Sequence, residues 1–395
     1  MRSPLEGRRW WLAGIGGSGM SGYALLARAW GAEVRGWDRV RTPYLERLHG
    51  IDVEITDEPP LPPPGWEVYV SSAFSDRVPG KTRAELLLEL VSLRPSIVVA
   101  GAHGKTTTTA MIAFCLYALG RDPAWLIGGD VPQLGSNAGT GEGWLVVEGD
   151  ESDRTIALLR PDIAVVTNID LDHHSTFASR AEVEKLFEDW LAPVPPQRAV
   201  RGDHLPPYDG PLRVPGEHNR RNAACAVAAL ELAGVRRSEA EPVLAEFAGT
   251  GRRLERRGEA RGVEVLDDYA HHPAEISATL AAVRDGGRLL VLFQPHLYSR
   301  TRHLARELAR SLAAADAVAV AEVYPAREHP LAGVSGKLVV DALAELRPGM
   351  PLAWTPAAAD GARFLARRAR PGDRVLTVGA GDVDRAGELL LELLG

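Results

Sequence analysis

Residues 96–109 read SIVVAGAHGKTTTT: an apolar run, a glycine-bearing loop, and four threonines that open a helical pattern continuing to Gly120. A short β-branched run bounded by glycine predicts a buried strand. Strand, loop and helix in that order aim backbone N–H groups and the positive helix end at one point, where a phosphate binds. Lys105 adds a compact charge there, and the Thr106 hydroxyl suits Mg²⁺. Gly101, His103, Gly104, Lys105, Thr106 and Thr107 are therefore candidate phosphate-binding residues. The loop has the GK[ST] ending of a phosphate loop, but Val99 stands where the full GxxxxGK[ST] spacing has glycine. A plain helix start is the competing interpretation.

Upstream, RRWWLAGIGG predicts a strand entering a loop, SGYALLARAWG a helix, and EVRGWD and EVYVSSA further strands, with a proline-rich surface loop, EPPLPPPG, between the last two. This βαβ alternation predicts a parallel sheet. The loop Gly14-Ile15-Gly16-Gly17-Ser18-Gly19 follows its strand and opens its helix, and Asp38 ends the next strand. That pattern fits a nucleotide diphosphate, a nicotinamide dinucleotide, or only a tight structural turn.

Downstream, LVVEGDESD and IAVVTNIDLDHH are strands that end in acids and histidines. Glu148 and His173 at strand ends beside a phosphate loop can ligate divalent ions, although either alone reads as a solvated loop residue. Residues 193–217 are rich in Pro, Gly and Arg and predict an irregular connection before the helix HNRRNAACAVAALELAGV. A third unit begins near GTGRR, where VEVLDDYA, RLLVLFQPH, AVAVAEVYP and RVLTVGAG predict buried parallel strands. DDYAHHP and QPHLYSR both follow such strands, so their His and Arg side chains should converge at one sheet edge, suited to a carboxylate-bearing small molecule. A third GxG, Gly379-Ala380-Gly381, reads as a tight turn.

The 395 residues suggest two or three domains, each long enough for a core. A net charge of −7 argues against a nucleic-acid partner. Only four of the 45 basic residues are lysines: Lys81, Lys105, Lys185 and Lys337. Arginine bias accounts for the scarcity. Cys115 and Cys225 sit in Ala/Leu-rich helical patterns and read as buried hydrophobes, consistent with a reducing cytoplasm. The N-terminal residues run straight into the glycine loop, and no stretch approaches 18 apolar residues, so neither a signal peptide nor a membrane partner is expected. Oligomeric state is not set by the sequence.

Taken in order, GIGGSGMSG, SSAFSD, GAHGKTTTTAM, VEGDESD, TNIDLDHH, GEHNRRNAACAV, GTGRRLE, DDYAHHPAEI, LFQPHLYSRT and EVYPA resemble the Mur ligase family over nearly the whole chain. DDYAHHP with QPHLYSRT resembles the alanine-adding branch. The resemblance implies an α/β chain of three domains: a Rossmann-like N-terminal domain over 1–92, a central P-loop ATP-binding domain over 93–248, and a C-terminal Rossmann-like domain over 249–395. It implies that Gly14, Gly16, Gly17, Gly19, Met20 and Ser21 face a UDP sugar, with Asp38, Ser71 and Ser72 nearby. It implies Lys105 on ATP phosphates, Thr106 and Glu148 on one Mg²⁺, and His173 on a second. Asn219 and Asn222 would meet the adenine end of ATP, Arg253 and Asp268 would close the site, and Tyr269, His271, His296 and Arg300 would hold alanine. The implied activity is ATP-driven amide formation between UDP-N-acetylmuramate and L-alanine through an acyl phosphate.

Several positions depart from the family pattern. The central domain is short between Phe177 and His218, where a strand pair is missing. Ser175 stands where the family usually has Asp, Leu297 replaces an Arg found in some relatives, and SSAFSDRVPG lacks the usual Asn-Pro-Glu. Lys185 does not match the spacing of a carbamoylated metal-site lysine. A peptide-recycling ligase, a degenerate UDP-sugar-binding paralogue and, on the first glycine loop alone, an NAD-dependent oxidoreductase are the alternatives.

Overall fold

The protein is described by a computed structural model, which covers residues 3–171, 176–284, 287–326 and 328–395. It carries three sheets in two compact units. One unit comprises Met1–Asp170, Arg180–Arg213 and Arg221–Ala248; the other comprises Leu171–Ser179, Val214–Arg220 and Gly249–Gly395. The chain is α/β throughout, as the alternating pattern predicted. No helix among the described residues is long and apolar enough to cross a membrane.

The first sheet takes β1 (Arg9–Ala13), β2 (Glu33–Asp38), β3 (Asp52–Ile55), β4 (Glu67–Val70) and β5 (Lys81–Thr82) in the order β3-β2-β1-β4-β5, all parallel. Helices α1 (Ser18–Ala29) and α2 (Arg83–Leu93) accompany it. The central β1 is apolar because it is paired on both edges and covered on both faces, with Trp10 fully buried against Tyr69 at 4.7 Å between rings. Strand order reverses at β1, the position where such sheets leave a ligand crevice at their C-terminal edge. The Gly14–Gly19 loop leaves β1 at that point.

The second sheet takes β6 (Ser96–Ala100), β7 (Ala124–Leu126), β8 (Ala138–Gly139), β9 (Leu145–Glu148), β10 (Ile163–Val166) and β11 (Ala199–Arg201) in the order β11-β10-β6-β9-β7-β8. Only the β7–β8 pair is antiparallel. Its helices are α3 (Lys105–Ala118), α4 (Arg180–Leu191), α5 (Glu217–Leu232) and α6 (Arg237–Leu244). The predicted strand SIVVA is β6, completely buried between β10 and β9. Between Phe177 and His218 the only strand is the three-residue β11. Cys115 and Cys225 are free and buried, and burial pushes both thiols up to about 12.

The third sheet takes β12 (Glu255–Ala260), β13 (Val263–Asp268), β14 (Leu289–Phe293), β15 (Ala317–Val320), β16 (Leu352–Trp354) and β17 (Arg374–Val378) in the order β12-β13-β17-β14-β15-β16. Helices α7 (Pro273–Ala282), α8 (Tyr298–Leu312), α9 (Lys337–Leu346), α10 (Ala358–Ala366) and α11 (Arg385–Leu394) cover it. β12 pairs antiparallel with β13; the remaining pairs are parallel. Phe293 ends β14 at zero exposure within the cluster of Leu280, Val291, Leu308 and Val378. Phe293→Ala should cost about 3–5 kcal/mol through lost burial and a residual cavity. Guanidinium unfolding followed by far-UV circular dichroism reads that loss; a change below about 1 kcal/mol contradicts this packing role.

Candidate active site

The phosphate loop links β6 to α3, and neighbouring strand ends fix it from both sides. Gly104 has φ +82°, and a Cβ there would lie 2.2 Å from Asn222 Oδ1. Gly101 has φ +133°, and a Cβ there would lie 2.2 Å from Thr167 Oγ1. Both positions therefore require glycine. After β10, Thr167 Oγ1 and Asn168 Nδ2 donate to the His103 carbonyl at 2.6 and 2.8 Å, and His103 N–H donates to Asn168 Oδ1 at 3.0 Å. His103 Nε2 lies 3.9 Å from Asp170 Oδ2.

The loop after β9 brings acids to the same helix start. Thr106 Oγ1 donates to Glu148 Oε2 at 3.1 Å, and Gly128 N–H donates to Glu148 Oε1 at 2.5 Å. A hydroxyl and a carboxylate meeting at one point are hard oxygen donors that fit Mg²⁺. Lys105 Nζ donates to the Gly101 carbonyl at 2.6 Å and to both oxygens of Glu151 at 2.8 and 3.0 Å. Burial works against the Lys105 charge, but Glu151, Asp150 and Glu148 outweigh it and hold the ammonium above the ordinary lysine range. Thr107 is buried in α3. Asn222 packs on Gly104, and Asn219, one turn earlier on α5, donates to the Pro215 carbonyl at 2.7 Å. His173 and Ser175 lie outside the described residues.

In the first sheet, Asp38 holds the glycine loop. Its Oδ2 accepts from Gly16 N–H at 2.8 Å and its Oδ1 from Arg39 N–H at 2.7 Å. Both oxygens are thus engaged by backbone N–H groups. Gly14 has φ +75°, and a Cβ there would lie 2.8 Å from both Phe74 and Ser71. Gly17 is exposed and Gly19 half-buried, whereas Met20 and Ser21 are buried on α1, with Ser21 Oγ donating to the Ser18 carbonyl at 3.1 Å. Ser71 is half-buried and Ser72 exposed. Arg83, which opens α2, donates from Nε to Tyr23 OH at 3.3 Å and lies 3.5 Å from a Cβ placed on Gly19.

In the second unit, the ends of β13, β14 and β15 converge. Asp268 Oδ2 accepts from Leu254 N–H at 2.8 Å, and its Oδ1 accepts from Ala270 N–H at 2.8 Å and Thr279 Oγ1 at 3.1 Å. Arg252 and Leu254 both have positive φ, 56° and 49°, and flank Arg253. The turn at Arg253 is therefore strained on both sides. Arg253 lies over the Tyr269 ring at 5.4 Å. Tyr269, His271 and His296 follow one another at ring distances of 5.6 and 5.5 Å, and His296 stacks on Tyr324 at 5.8 Å. Arg300 is buried, with Nη1 3.2 Å from His296 Nδ1. Gly379-Ala380-Gly381 is the expected close turn: Arg252 donates to the Gly379 and Gly381 carbonyls at 2.7 and 2.8 Å.

Three residues escaped the sequence reasoning: Glu151, Arg83 and Tyr324. Glu151 had a signal in its spacing, three residues after Glu148 on the same loop. Arg83 and Tyr324 are placed only by tertiary packing.

Two family models match the chain: the Mur ligase middle domain over residues 99–200 and the Mur ligase glutamate ligase domain over residues 252–381. A Rubrobacter xylanophilus protein named UDP-N-acetylmuramate–L-alanine ligase is 39% identical, covering 97% of this chain and 99% of its own. The chain belongs to the Mur ligase family. A Renibacterium salmoninarum protein of the same name is also 39% identical, covering 96% of this Mur ligase and 95% of its own length. The crystal structure of the UDP-N-acetylmuramate–alanine ligase of Thermotoga maritima superposes with a TM-score of 0.76 at 25% identity, covering 97% and 98% of the two chains. The three-domain Mur ligase architecture is thus shared at full length.

The buried Asp268 of this Mur ligase gives a pH signature. Desolvation raises its carboxyl to about 6, against the lowering pull of Arg253 and the N–H donors of Ala270 and Leu254. The folded chain therefore binds this proton more tightly than the unfolded chain, where the group titrates near 4. Its stabilising contribution is present at low pH and is lost as pH rises from about 4 through about 6. Urea unfolding of wild type should lose roughly 2–3 kcal/mol across that window relative to Asp268→Asn. Parallel pH profiles for the two proteins contradict the assignment.

Proposed function

We propose that this Mur ligase joins L-alanine to the lactyl carboxylate of UDP-N-acetylmuramate at the expense of ATP, in peptidoglycan precursor synthesis in the cytoplasm. One observation carries the proposal: near-full-length identity to proteins of that name, in a chain whose phosphate loop, strand-end acids and His–Arg cluster all occupy C-terminal sheet edges. The domain bounds 1–92, 93–248 and 249–395 belong to the same proposal.

ATP is a substrate here. The lactyl carboxylate attacks its γ-phosphate, ADP leaves, and the amine of alanine then displaces phosphate from the acyl phosphate carbonyl. The physical obstacle is a carboxylate approaching a polyphosphate. Gly101, His103, Gly104, Thr106 and Thr107 offer the loop and helix start that receive phosphates, with Asn219 and Asn222 toward the base. Lys105 stabilises charge that develops on the transferred group. Thr106 and Glu148 would hold one Mg²⁺ and His173 a second, and the metal would supply further charge neutralisation. The roles of Arg253 and Asp268 toward the nucleotide are part of the same proposal.

The glycine loop Gly14–Gly19, with Met20, Ser21, Asp38, Ser71 and Ser72, receives the UDP sugar. Asp38 acts there by fixing the loop through Gly16 rather than by contacting sugar. Tyr269, His271, His296 and Arg300 receive alanine, and the Arg300 guanidinium supports its carboxylate.

Incubation of the protein with UDP-N-acetylmuramate, ATP, Mg²⁺ and L-alanine should release ADP and give a new amide, while a preformed tripeptide should give none. ADP release with tripeptide alone would replace alanine ligation by peptide recycling. Lys105→Ala should lose at least about 10²-fold in kcat; equal rates would remove the loop from catalysis.

A further inference from the structure

The first two residues of α3 meet two carboxylates, one at the end of β9 and one on the loop that follows it. Glu148 takes Thr106, and Glu151 takes Lys105. An ammonium has three N–H donors. The Gly101 carbonyl and the two Glu151 oxygens lie at 2.6, 2.8 and 3.0 Å from Lys105 Nζ, so all three donors are directed at protein atoms. Glu151 is only 2% exposed. Its turn is fixed: Arg154 N–H donates to the Glu151 carbonyl at 3.0 Å, and Ser152 N–H donates to Asp150 Oδ1 at 2.8 Å.

This geometry poses a conflict. A phosphate that comes to Lys105 meets a carboxylate already on the same ammonium. Away from bulk water, two anions at that separation repel strongly. The charge of Lys105 also has no substitute among the lysines: Lys81, Lys185 and Lys337 pair with Glu67, Asp189 and Asp341 on exposed faces.

We propose that Glu151 is a positioning residue that competes with nucleotide phosphate for Lys105. Without nucleotide it holds the ammonium on the loop; with nucleotide it is exchanged for a phosphate oxygen. The exchange weakens nucleotide binding and keeps Lys105 aimed for the transfer. It rests on the nucleotide role proposed above for the loop.

The test is a double-mutant cycle on the full chain, with the Kd of ADP read by titration calorimetry. Glu151→Gln, which keeps the shape but removes the charge, should tighten ADP binding by about tenfold. Lys105→Ala should weaken it, and the double variant should match Lys105→Ala within about twofold, because Glu151 acts through Lys105. In the ligase assay Glu151→Gln should lower both KM for ATP and kcat, while Glu151→Asp, which keeps the charge, stays near wild type. Unchanged or weaker ADP binding in Glu151→Gln, with or without a lower Tm, would overturn the exchange. An equal gain in the Lys105→Ala background would overturn it too. Should Glu151→Gln not fold, Glu151→Asp decides: a Kd within twofold of wild type and still coupled to Lys105 supports the exchange, and an uncoupled Kd overturns it. If wild type binds no ADP, the nucleotide role of the loop fails first and the exchange fails with it.

Discussion

An acidic chain that handles anions must find positive potential locally, and that constraint organises the molecule. The net charge is −7, so the overall field repels phosphates and carboxylates. Parallel sheets answer this by placing loops, glycine turns and helix N-termini at one edge. β1, β6 and β14 are each central strands with a neighbour on both sides, and each leads into a loop that opens a helix. The glycines at 14, 101 and 104 adopt positive φ where side chains would collide with the segments after β4 and β10 and with Asn222 of α5.

Carboxylates, paradoxically, build these anion sites. Asp38 fixes the first loop through Gly16, Glu148 and Glu151 hold the start of α3, and Asp268 ties the end of β13 to the Arg253 turn. Each acid accepts from backbone or from a side chain of the site, and so arranges donors ahead of a ligand. Such preorganisation avoids reorganisation when charge develops. The cost is visible at Asp268, whose burial raises its carboxyl to about 6.

The apolar strands and glycine loops were legible because burial on both faces forces continuous β-branched runs, as in SIVVA and LLVLF. Edge strands were not. β12 reads ERRGEA and β16 LAW; neither is buried on both faces, so neither carries that pattern. The meeting of Thr106 with Glu148 beside Lys105 was legible because strand, loop and helix follow one another at fixed spacing. It was opaque where packing alone sets proximity. Tyr324 comes to His296 through a β-bridge between their segments, and Arg83 comes to Gly19 through the placement of α2. The hold of Asp38 on the glycine loop was opaque for a related reason. A sequence shows an acid at a strand end, but not that Gly16 and Arg39 already occupy both of its oxygens.

The shortened central region shows which parts of the second sheet tolerate loss. The relatives align over 443 positions with a chain of 395 residues, so they carry segments that this chain lacks. Between Phe177 and His218 the chain retains α4 and the three-residue β11, which pairs with β10 only and forms the sheet edge. The phosphate loop leaves β6, two strands in from that edge, and is held by Thr167 and Asn168 after β10 and by Glu148 at the end of β9 and Glu151 after it. Trp190 is fully buried and donates to the Leu159 carbonyl at 3.2 Å, so α4 still closes the sheet beside the shortened stretch. Trimming at an edge removes surface and little of the core, whereas the same loss beside β6 would unseat the groups that fix Lys105.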